Sequence, residues 1–127
     1  QVYPSSVALL FEWNMDMNFQ TILSSFKNQS TGTDAFKNLK SACEHHLKHS
    51  SHLNEKAVIY LIYGFARSYV ILYEDEAVTT EFAQASKEML VNYMNRLNEA
   101  LRTQDDHIIL NTLNQVSNDY MQGSRIF

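Results

Sequence analysis

Apolar residues in this chain recur at intervals of three and four, and each run closes in a short polar stretch. Ser5 and Ser6, after Pro4, can cap a first short helix that presents Val7, Leu10 and Phe11. Phe19, Ile22, Leu23 and Phe26 follow the i, i+3, i+4, i+7 rule and predict a clean amphipathic helix. The loop "NQSTGTD", Asn28 to Asp34, ends in a cap at Thr33 or Asp34 and leads to a face of Phe36, Leu39, Cys43 and Leu47. Asn54 can cap a central helix from about Glu55 to Tyr73. Its apolar residues surround nearly the whole circumference, which predicts a place in the middle of the fold. Thr79 or Thr80 opens a long helix carrying Phe82, Met89, Leu90, Tyr93, Met94, Leu97 and Leu101 on one side. "TQDD" forms a loop, Asp105 or Asp106 caps a last helix built on Ile109, Leu113, Val116 and Tyr120, and Gly123 supplies its stop. The expectation is an all-α fold: one domain over residues 1–127, a bundle of four to five main helices around a nearly all-apolar central one.

Composition agrees with that reading. Three Gly and one Pro in 127 residues leave few turns, which favours long helices over a sheet protein. Hydrophobic residues at 45% against 19% charged are enough for a packed core. The lone Cys43 cannot form an internal disulfide. "QVYPSSVALL" has neither the basic start nor the apolar run of a secretory leader. The longest apolar stretch, Ala57 to Tyr73, contains Arg67, a charge that would cost ~3 kcal/mol in lipid. It reads as a helix packed within protein, and no membrane association is expected.

Four histidines, a cysteine and a glutamate crowd "CEHHLKHSSH", Cys43 to His52. His45 and His49 have the i, i+4 spacing that lets two imidazoles share a metal ion, and Cys43 with His46 forms an i, i+3 pair. The zinc-peptidase motif H-E-x-x-H is absent, because His46 follows His45 and Glu44 precedes it. The cluster also lies in the last helical turn, where the partial negative charge of the carbonyl end favours histidine and lysine. Cys43 aligns with the apolar face as a small core residue. A structural role is expected, with no metal and no other cofactor.

Other catalytic signatures are missing: there is no G-x-S-x-G, no Gly-rich phosphate loop and no C-x-x-C. "RTQDDH" does match the Arg-x4-His spacing of the all-helical HEPN ribonucleases, and that resemblance would assign cleavage of RNA to Arg102 and His107. Thr103 stands where that family usually has a polar residue such as Asn, Asp or His. A helix-end arginine beside the negative dipole is the simpler explanation.

Charge changes the picture more. The net charge of −4 argues against direct binding to nucleic acid. Residues 27–67 carry six bases and three acids, whereas residues 68–106 carry eight acids and three bases. "YEDEAVTTE" places Glu74, Asp75, Glu76 and Glu81 beside Tyr73, directly after the most apolar helix. These acids either serve the start of the next helix or face a basic partner.

In size, acidity and helical character, and in this acidic segment near tyrosines, the chain resembles the small bacterial immunity proteins of colicin and contact-dependent growth inhibition systems. That resemblance implies a non-enzymatic, cytoplasmic protein, monomeric or weakly dimeric, which neutralises a cognate nuclease toxin by blocking its active site or nucleic-acid surface. The partner-binding residues expected on this reading are Tyr73, Glu74, Asp75, Glu76 and Glu81, with Asp105 and Asp106. Trp13, between Glu12 and Asp16, is a secondary patch. A non-catalytic adaptor or antitoxin-like regulator is the nearest alternative, ahead of the ribonuclease.

Overall fold

A computed structural model of the protein describes residues 18–127. The helix expected after Ser5 and Ser6, and the Trp13 patch, lie outside the described residues. Within them the chain folds into five α-helices with no strand: α1 (Phe19–Lys27), α2 (Thr33–His49), α3 (Lys56–Tyr73), α4 (Thr80–Arg102) and α5 (Asp106–Gln122). A 3₁₀ turn, Leu53–Glu55, precedes α3. The all-α bundle expected from the hydrophobic pattern is therefore what forms. α2 packs along most of α3, α1 sits on α2 and α4, and α5 lies along α4. No described helix is long and apolar enough to cross a membrane.

Local chemistry explains most of the boundaries. The Asn18 side chain accepts the Thr21 N–H at 3.0 Å and starts α1. Thr79 does the same for α4 through Phe82 N–H, and Asp105 starts α5 by accepting from His107 and Ile108. Two expected caps are corrected. α2 begins at Thr33 with Gly32 before it, at φ 110°, and no side chain caps it. A left-handed backbone there suits glycine and displaces the Thr33 or Asp34 cap. Asn54 lies inside the 3₁₀ turn and caps nothing, and Glu55 stands at the start of α3 without capping it. Gly123 ends α5 in extended backbone, φ −99°, and not in the left-handed conformation of a C′ glycine. A Cβ at that position would lie 3.1 Å from the Asp119 carbonyl oxygen, a tight contact.

All four apolar residues of α1 are buried, and so are Phe36, Leu39 and Cys43 of α2. Phe36 stacks on Tyr69 of α3 with ring centroids 3.8 Å apart and meets Phe26 edge-on at 5.3 Å. Phe127 closes the core against Phe36 and Phe65, while the Tyr73 hydroxyl donates to the Ile126 carbonyl at 2.6 Å. The segment after α5 is thus held against α3 by an aromatic plug and a hydrogen bond.

The central helix departs from expectation. Val58, Ile59, Ile62, Phe65, Ala66 and Tyr69 are buried, but Tyr60, Ile71 and Leu72 keep 66%, 63% and 53% of their surface exposed. Among the described elements its cover comes chiefly from α2, which leaves apolar side chains beside Arg67 on its outer face.

Candidate functional site

The histidine stretch divides into separate environments. Cys43 and His46 point into the core, and burial pushes the Cys43 thiol up to about 12, so it stays protonated at neutral pH. His45 and His49 lie outside, their rings 4.6 Å apart. Partial burial and the neighbouring His49 and His46 hold the His45 imidazole below its usual pKa. No three His, Cys, Asp or Glu side chains converge on one point among the described residues.

What His46 does is structural. Its Nε2 donates to Glu55 Oε1 at 2.9 Å, and the same oxygen accepts the Phe19 N–H at 3.1 Å. Glu55 therefore satisfies the first amide of α1, a helix distant in sequence, and fixes the tautomer of a buried imidazole. The next residue serves the opposite pole. Lys56 Nζ donates to the carbonyls of Leu47, at 2.7 Å, and His46, at 3.3 Å, closing the end of α2. A carboxylate on a helix start and an ammonium on a helix end lock three helices together around the 3₁₀ turn. Sequence reasoning noticed the histidines and missed Glu55, whose partner lies 36 residues away.

Arg102 and His107 flank the α4–α5 turn, in which Gln104 takes a positive φ of 56°. Both are exposed, and Arg102 pairs with Glu99 of its own helix at 3.5 Å. Asp105 is engaged as the α5 cap, and Asp106 is exposed in the first turn of that helix.

The acidic segment is different. α3 ends at Tyr73, and Glu74, Asp75, Glu76 and Glu81 are all exposed around the turn into α4. Glu81 stands in the first turn of α4, where its charge complements the helix dipole. Glu74 lies at the unfavourable carbonyl end of α3, and Lys37 of α2 answers it at 2.5 Å. The hydrogen bond and charge of Glu74 hold the Lys37 ammonium above its usual pKa. Tyr73 supports the turn from beneath, half-buried against Phe82 and Tyr69.

Ile71 and Leu72, exposed, precede these acids directly. Asp105 and Asp106 do not join them: they lie beyond the other end of α4, whose 23 residues span about 34 Å. The residues expected to bind a partner thus lie in two separate places, with five of the seven at the α3–α4 turn. No family model, curated protein or solved structure matches this chain.

Proposed function

We propose that the protein works by binding a basic protein partner through the α3–α4 turn, as the immunity partner of a nuclease toxin. The observation that carries this reading is the exposure of Glu74, Asp75, Glu76 and Glu81 immediately beside exposed Ile71 and Leu72. A nuclease must present cations to phosphate. Carboxylates facing those cations speed encounter and form charge-assisted hydrogen bonds. Apolar side chains next to them supply the desolvated anchor that charges alone lack. Tyr73, with its hydroxyl held by Ile126, orients the turn from below. On this reading the protein carries out no chemistry, needs no cofactor, and acts in the cytoplasm of the cell that makes the toxin.

The test is capture from the native host with the full chain as bait, followed by kinetics with the captured protein. Asp75→Lys, Glu76→Lys should lower the association rate at low salt by about tenfold or more and flatten its salt dependence. Cells carrying the double variant should lose protection against the toxin. Unchanged kinetics and full protection would remove the turn from the interface.

A further inference from the structure

We infer that the outer face of α3 is a seam for a second copy of this chain, packed antiparallel about Gly64. Leu53, Ala57, Tyr60, Gly64, Arg67 and Ile71 follow one another at alternating intervals of four and three, the spacing of a coiled-coil seam. All six are exposed. The inner face of the same helix fills the core, so the heptad stripe is additional to the core formed among the described residues.

Three features select a second copy as the occupant. The first is shape. Gly64 stands midway along the stripe, and a Cβ built there meets nothing within 4 Å. Beside it a groove of about 350 Å³ is lined by Tyr60, Leu61, Phe65, Ser68, Tyr120 and Phe127. A two-fold axis at Gly64 sets Ala57 opposite Ile71 and Tyr60 opposite Ser68, large against small at both ends. The same register brings Arg67 of one copy within reach of the Tyr60 ring of the other, a favourable cation–aromatic pairing.

The second feature is charge. In sequence, exposed Lys48, His49 and His52 precede one end of the seam, and exposed Glu74, Asp75 and Glu76 follow the other. Antiparallel packing puts base against acid twice, whereas parallel packing would put acid on acid. The third is self-complementarity: a two-fold contact requires one patch to fit itself, and a stripe with its smallest residue at the centre and opposite charges at its ends does so. An 18-residue helix is about 27 Å long, so the contact buries on the order of 1,000 Å² in total, the low end for a specific complex. The dimer is therefore weak and reversible. It covers the acidic turn, so binding of a basic partner there would compete with it.

Sedimentation velocity on the pure full chain, from about 1 µM to about 500 µM, tests this without any toxin. The unaltered protein should pass from monomer to dimer over that range. Gly64→Gln should weaken the dimer at least ~10-fold while the circular dichroism melt is kept, since the position is open and glutamine is a better helix former. Lys48→Glu alone, and Asp75→Lys with Glu76→Lys alone, should each stay monomeric, and an equimolar mixture should dimerise. A monomer at every concentration overturns the proposal, as does a dimer indifferent to Gly64→Gln. Failure of the mixture to associate overturns the antiparallel arrangement.

Discussion

The two junctions flanking α3 are both rich in ionisable groups, and the fold uses them in opposite ways. At the start of α3, Glu55 and Lys56 are drawn inward: one holds the Phe19 amide and His46, the other the last carbonyls of α2. After α3, Glu74, Asp75 and Glu76 stand outward, and among them only Glu74 has a salt bridge, to Lys37. The histidine-rich side carries the residue types of a metal site, reads in sequence as structural, and forms a clasp between helices. The acidic side, named in sequence as the partner-binding segment, is the end at which apolar side chains also reach the surface. Charged groups that complete the hydrogen bonds of buried backbone are committed to stability, and those left facing solvent remain available for recognition.

That contrast breaks first at Glu55. Glu55→Ala leaves a buried amide and a buried imidazole without their shared acceptor, which should cost about 2–4 kcal/mol and lower the melting temperature by on the order of 10 °C. Glu55→Gln keeps one acceptor oxygen and should cost less than half as much in the same thermal melt. If Glu55→Ala melts within a degree or two of the unaltered chain, the clasp has no energetic role. Lys56→Met is the next step down. It retains the stem that packs over the turn and removes the ammonium from the α2 carbonyls, so a loss of about 1 kcal/mol in denaturant unfolding is expected.

Much of this molecule is legible from side-chain spacing, because burial and helical period leave a direct trace. Phe19, Ile22, Leu23 and Phe26 are all buried as their spacing predicts, and of the paired cap candidates Thr79 or Thr80 and Asp105 or Asp106 the first of each is the cap. The errors arise where side-chain spacing carries no trace of what decides the outcome. Gly32 sets the start of α2 through a backbone angle no periodicity reports. Tyr60, Ile71 and Leu72 read as core because an apolar helix carries no mark of how many neighbours will cover it. His46 draws attention through its neighbours in sequence, yet the residue that gives it meaning is Glu55, across a turn. The acidic turn was visible as composition. That Asp105 and Asp106 belong to a different end of the molecule became visible only once α4 stood between them.

The smallest expected effect on stability sharpens the comparison most. Asp75→Lys with Glu76→Lys alters two exposed side chains that make no hydrogen bond or salt bridge through their carboxylates among the described residues. Such changes ordinarily shift stability by about 0.5 kcal/mol or less. Here the direction should even be slightly favourable, because both residues follow the carbonyl end of α3, where cations are preferred. The thermal melt should therefore be the same or marginally higher, while association with the proposed basic partner and self-association both fall. Lys37→Met supplies the control, since it removes the ion pair to Glu74 but leaves the negative turn in place. Its thermal melt should stay close to that of the unaltered chain, as expected of a solvent-screened surface pair, with partner binding retained. A clear loss of stability in the double variant would show that the acidic turn, like the clasp on the other side of α3, is part of what holds the fold. The division between a structural junction and a recognition junction would then not hold.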